Sequence, residues 1–225
     1  MRYTDEMSKA VIFDVDGLLV NSEPYWREAK IDLFEPLGVP ITMENVDDTM
    51  GLRADESVNY WFRKYPWEGP TEMEVTEQLI DAMVNHLETA EIMLPGVIET
   101  ISIVEQAGLP MAIASSSPSR LIQAVTKSLG IEDKLSVVHS AEHETYGKPH
   151  PAVYIAAADQ LGVSPEDCIA FEDSPNGLLA AKSAKMVCIA VPEAGTHEDP
   201  RFGIADKVLV SLNDFTPEIL EEVRR

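Results

Sequence analysis

The sequence predicts an α/β protein, a parallel-sheet domain interrupted after its first strand by an all-helical insertion. Two observations lead there. Apolar runs of strand length recur along the chain with helix-period segments between most of them, and this alternation stops between residue 22 and about residue 93, where only helical patterns remain.

The first run is "AVIF" (10–13), followed at once by Asp14, Asp16 and Gly17. Burying an unpaired carboxylate is costly, so acids at the end of a buried strand imply a use in the folded protein. In the insertion, Trp26, Ala29, Leu33 and Leu37 fall at helical spacing, as do Val58, Trp61, Phe62 and Tyr65. Two tryptophans are thereby assigned to helix faces, and Trp67 to the turn "YPWEGP". Thr71 to Glu74 fits a capping box ahead of a long helix carrying Val75, Leu79, Met83 and Leu87. "NSEP" and "LPG" (94–96) bound the insertion, giving a domain of 1–21 plus 94–225 around an insert of 22–93.

The remaining strand-like runs are "LPMAIA" (109–114), "LSVV" (135–138), "CIAF" (168–171), "MVCIAV" (186–191) and "KVLVS" (207–211). Helices are expected over 118–129 and 150–161, each stopped by a glycine, Gly130 and Gly162. Ser117-Pro118 and Ser174-Pro175 read as an N-cap followed by proline at the first helical position.

The 225 residues suit one large domain with an insertion. With 17 basic and 39 acidic residues the formal charge is −22, which disfavours nucleic acid and anionic membrane surfaces as partners. A phosphorylated ligand then needs local positive charge from a lysine, an arginine or a metal. Cys168 and Cys188 lie in apolar runs and read as reduced core residues. The N-terminus has no apolar signal region and the chain no apolar span of membrane length, so a cytoplasmic protein, acting as a monomer, is expected. His139 and His143 have the spacing of a zinc pair but no third ligand beside them.

In an open parallel sheet, ligands bind beyond the carboxyl ends of the strands. Asp14 and Asp16, Ser115 to Ser117, Lys148, and Glu172 with Asp173 all follow strand-like runs, so acids, hydroxyls and a cation converge on one edge from four stretches. "DVDG", "ASSS", "GKPHP" and "FEDS", in that order, resemble the four motifs of the haloacid dehalogenase-like phosphohydrolases. The nearest resemblance is to bacterial sugar-phosphate phosphatases of the 2-deoxyglucose-6-phosphate and hexitol phosphatase type, close to the β-phosphoglucomutases.

The resemblance implies a Rossmann-like catalytic core with a helical cap, and Mg²⁺-dependent hydrolysis of a small sugar or polyol phosphate in carbohydrate metabolism. It makes Asp14 the nucleophile that becomes an aspartyl phosphate, and Asp16 the acid and then the base. Ser115, Ser116 and Lys148 are implied to hold the phosphoryl group, with Ser115 and Lys148 assisting catalysis. The Asp14 carboxylate, the Asp16 carbonyl, Asp173 and Glu172 are implied metal ligands, all hard oxygens. Glu23, Trp26 and Arg53 resemble substrate-facing cap positions. A β-phosphoglucomutase-like sugar phosphomutase is the alternative, but those enzymes carry a histidine where this chain has Trp26. Dehalogenases lack the second aspartate.

Overall fold

A computed structural model describes residues 10–87 and 93–224. Strand β1 (Ala10–Phe13) leads into three helices, α1 (Glu23–Phe34), α2 (Ala54–Lys64) and α3 (Glu72–Leu87). After α4 (Val97–Gln106) the chain alternates β2 (Met111–Ser115), α5 (Ser119–Leu129), β3 (Leu135–Ser140), α6 (Ala152–Leu161), β4 (Cys168–Glu172), α7 (Pro175–Ser183) and β5 (Val187–Ala190). A two-residue β6 (Lys207–Val208) and α8 (Pro217–Val223) complete it.

All strands pair in parallel in the order β3-β2-β1-β4-β5-β6. Connections run outward in opposite directions from β1, so a crevice opens at the carboxyl ends of β1 and β4. Parallel strands covered on both faces read as continuous apolar runs, and every residue of β1, β2 and β4 is buried. β6 is shorter than "KVLVS" suggests. It pairs only with β5 at the sheet margin, and Val208 at its end and Val210 beyond it are exposed. β2 starts after Pro110, which has no N–H but accepts from Val11.

Gly130 and Gly162 both end their helices in the left-handed conformation. The Thr71–Glu74 capping box forms, with Glu74 N donating to Thr71 Oγ1 at 3.2 Å and Thr71 N to Glu74 Oε2 at 2.8 Å. Val75, Leu79 and Met83 of α3 are buried, while Leu87's side chain lies outside the described residues. Trp61 is fully buried, and Trp67, beyond its turn, packs on Phe34 and Phe62 while its indole donates to Pro70 O. The 118–129 helix differs at its start. Pro118, not Ser117, occupies the N-cap, because the Ser117 hydroxyl is drawn to Asp16 instead. Ser174 does cap α7, accepting from Gly177 N at 3.1 Å with Pro175 next. Cys168 and Cys188 are free and buried.

Candidate active site

β1 delivers Asp14 to the mouth of the crevice, 6% exposed. Lys148 meets it from the loop after β3, with Nζ donating to Asp14 Oδ1 at 2.7 Å, Glu172 Oε1 at 2.6 Å and Ala114 O at 3.1 Å. Tyr154 donates its hydroxyl to the same Glu172 oxygen at 2.6 Å. Glu172 Oε2 accepts from the backbone N and hydroxyl of Ser174. Burial pulls Lys148 down, but Asp14 and Glu172 outweigh it and hold the ammonium above its ordinary range.

Asp14, Glu172 and Asp173 offer carboxylate oxygens that all lie within 4.8 Å of one another. With all three acids ionised, the single ammonium would leave two negative charges uncompensated. Asp14 is pushed up to about 8, first by burial and then by Glu172 and Asp16, against the opposing pull of Lys148. Asp173 is raised well above the carboxylate range, again chiefly by burial. Its Oδ2 is buried and has no hydrogen-bond partner among the described residues. Gly17 leaves room for that oxygen: a Cβ there would lie 1.9 Å from it, and the residue sits at φ +75°. An orphaned carboxylate oxygen, a set of hard oxygen donors and a local deficit of two positive charges fit a divalent cation. Glu172, with both oxygens already accepting, would contribute charge more than a direct bond.

Asp16 is held differently. Oδ1 accepts from Ser22 Oγ at 2.7 Å and Trp26 Nε1 at 3.0 Å, and Oδ2 accepts from Ser117 Oγ at 2.5 Å. Ser22 and Trp26 belong to the start of the helical insertion, so its first helix reaches the second aspartate directly. Ser115 Oγ accepts from Ser117 N, and Ser116 Oγ donates to Gly51 O.

Most of these groups meet at one narrow cavity of about 40 Å³ between the sheet edge and the inserted helices. Asp14, Asp16, Ser115, Ser116, Lys148 and Asp173 form one wall, and Glu23, Trp26, Lys30, Thr49 and Ser57 contribute to the other. Burial pushes Glu23 up to about 7 and lowers Lys30, each partly offset by the other's charge. Lys30, Thr49 and Ser57 had no signal in the sequence beyond ordinary helix and turn composition. Arg53 is not brought into the cavity. Its guanidinium grips Asp55 and donates to Ala141 O and Glu144 O. Nearby, Gly147 N donates to Glu56 Oε1, and Arg27 forms a two-pronged pair with Glu193. These contacts clamp the helices onto the core. His139 is occupied by Glu144 and Gln160, which accounts for it without a metal.

The chain is 42% identical to hexitol phosphatase B of Escherichia coli over 212 residues, covering 94% of this chain and 96% of that protein. Among solved structures it resembles CbbY from Rhodobacter sphaeroides in complex with phosphate, with 28% identity, TM-score 0.83 and coverage of 92% and 96% of the two chains. It also resembles β-phosphoglucomutase from Clostridium difficile, with 26% identity, TM-score 0.86 and 97% coverage of both. A family model for the haloacid dehalogenase-like hydrolases matches residues 8–185, and with the four motifs gathered at one sheet edge, the chain belongs to that family.

Proposed function

We propose that this protein is a Mg²⁺-dependent phosphomonoesterase for small sugar or polyol phosphates. The observation that carries the reading is the pair of aspartates, two residues apart, facing one narrow cavity in opposite settings. Asp14 is bound to a buried ammonium, and Asp16 is held by neutral donors, two of them from the inserted helices. In-line attack by Asp14 Oδ on phosphorus forms an aspartyl phosphate and releases the alkoxide, which takes a proton from Asp16. The Asp16 carboxylate then withdraws a proton from water as that water attacks the phosphoenzyme.

Asp14, Asp173 and the Asp16 carbonyl would hold Mg²⁺, with Glu172 behind them, and the ion would supply charge neutralisation at the transferring phosphoryl group. Lys148 fixes Asp14 and offers positive charge to the phosphoryl oxygens, with Ser115 and Ser116 beside it. Residues 22–93 act as a cap that shuts water out during transfer, with Glu23 and Trp26 facing the leaving group. We read Arg53 as a positioning residue that docks the cap. The identity to hexitol phosphatase B supports the substrate class. A phosphomutase reading is weaker, because the Trp26 indole donates a hydrogen bond but cannot exchange a proton. The cavity is completed within one chain, which supports a monomer, and two free buried thiols support a reducing cytoplasm.

The test is phosphate release from hexitol, hexose and pentose phosphates and an aryl phosphate, with and without Mg²⁺ after chelation. Mg²⁺-dependent release, fastest on a sugar or polyol phosphate, is expected. Full activity after exhaustive chelation, or no release from any substrate, would overturn the reading.

A further inference from the structure

The cap wall of the cavity carries an ammonium and a carboxyl whose hydrogen-bonding capacity the described residues leave open. Lys30 is 7% exposed, and of its three N–H groups one has an acceptor among the described residues, Thr49 Oγ1 at 3.2 Å. That hydroxyl is fixed by Ser57 Oγ, which donates to it at 2.9 Å, and both residues are buried. Glu23 is equally buried and stands two helical turns before Lys30 on the same face of α1. It accepts no hydrogen bond from any described residue. Buried polar groups are almost always paired, and an ionisable group left short of partners is costly. Both side chains line the cavity that holds Asp14 and Asp16.

We propose that Lys30 and Glu23 read the hydroxyl groups of the leaving group, so that the enzyme selects neutral, polyhydroxylated phosphate monoesters. The two free Lys30 N–H groups donate to hydroxyl oxygens, and the Glu23 carboxyl accepts a hydroxyl proton. Because the two charges oppose, this wall presents donors and an acceptor with little net charge. A second anion on the substrate would meet Glu23 as well as Lys30, which disfavours sugar acids and bisphosphates. The inference rests on the phosphomonoesterase reading and specifies its substrate class.

The test compares kcat/KM for a hexitol 6-phosphate, n-hexyl phosphate and gluconate 6-phosphate in wild type, Lys30→Met and Glu23→Gln, with an aryl phosphate as the measure of phosphoryl transfer itself. A site built to bond hydroxyls rejects analogues lacking them by large factors, so wild type should favour hexitol over hexyl phosphate by at least about 10³-fold. Loss of a hydrogen bond to a charged group should cut that ratio about 10- to 100-fold in Lys30→Met, and by less in Glu23→Gln. Leaving-group chemistry cancels between wild type and variant, and a general folding defect lowers both substrates together. If Lys30→Met does not fold, the wild-type ratio and Glu23→Gln still decide. A hexitol-to-hexyl ratio near one in wild type, a ratio unmoved by the variants, or a preference for gluconate phosphate lost in Lys30→Met would overturn the inference. Absence of hydrolysis of every ester, the aryl phosphate included, would instead overturn the phosphatase reading beneath it.

Discussion

The two walls of the cavity are built on opposite principles. On the core side, polar atoms are interlocked: Lys148 bridges Asp14 and Glu172, and Tyr154 and Ser174 hold Glu172, while the buried Asp173 Oδ2 has no partner among the described residues. On the cap side, Lys30 and Glu23 are as deeply buried yet keep capacity in reserve. A satisfied network is rigid and holds reacting groups in place, whereas a wall with open donors and acceptors is completed by whatever it binds. On the proposed function, chemistry resides in the core and choice of leaving group in the cap.

The strongest way to break this contrast is to remove the nucleophile. Asp14→Asn should reduce turnover by about 10⁴-fold or more on every substrate, since an amide is a poor nucleophile. Asp16→Asn should slow sugar phosphates by roughly 10²–10⁴-fold but spare the first transfer from an activated aryl phosphate. Intact-protein mass spectrometry should then find a phosphoryl group on Asp16→Asn and none on Asp14→Asn; the reverse labelling would reverse the roles.

Next comes the rigidity of the core wall. Lys148→Met strands two carboxylates in a dry site, and breaking a buried pair of this kind costs about 3–5 kcal/mol. Urea unfolding of the chelated protein would show it. A loss below about 1 kcal/mol would mean that the core wall does not depend on this cation.

The smallest effect sharpens the cap wall. Glu23 sits at about 7 against an ordinary 4.5, so its contribution to stability is complete below pH 4.5 and is lost as pH rises through 7. Glu23→Gln cannot ionise and escapes that loss. It should match wild type near pH 4.5 and be more stable by at most about 3 kcal/mol above pH 7.5, measured by denaturant unfolding across that range. A difference that stays flat with pH would return Glu23 to a wet environment.

The sheet was legible because strands buried on both faces must be apolar throughout, and the core wall because its acids and lysine stand where buried runs end. Three features escaped for physical reasons. "KVLVS" has strand composition, but the length of an edge strand is set by its neighbour. Ser117 has the composition of an N-cap, yet its hydroxyl goes to an aspartate 101 positions away. Lys30 on an amphipathic helix reads as a solvent-facing residue, and only tertiary packing turns that polar face inward. Trp26 shows both sides: its spacing places it on the helix face, while its bond to Asp16 follows from where that helix docks.

A space of about 40 Å³ holds roughly a few water molecules and no sugar phosphate. On the proposed function, each catalytic cycle would contain one opening and one shutting of the cap, in which Arg27 would part from Glu193, Arg53 from the loop after β3 and Glu56 from Gly147. Such an enzyme would behave as a turnstile whose cadence has two masters. For a poor leaving group the bond to phosphorus sets the pace, and for a good one the clasp does, so that solvent viscosity, irrelevant to the first, slows the second.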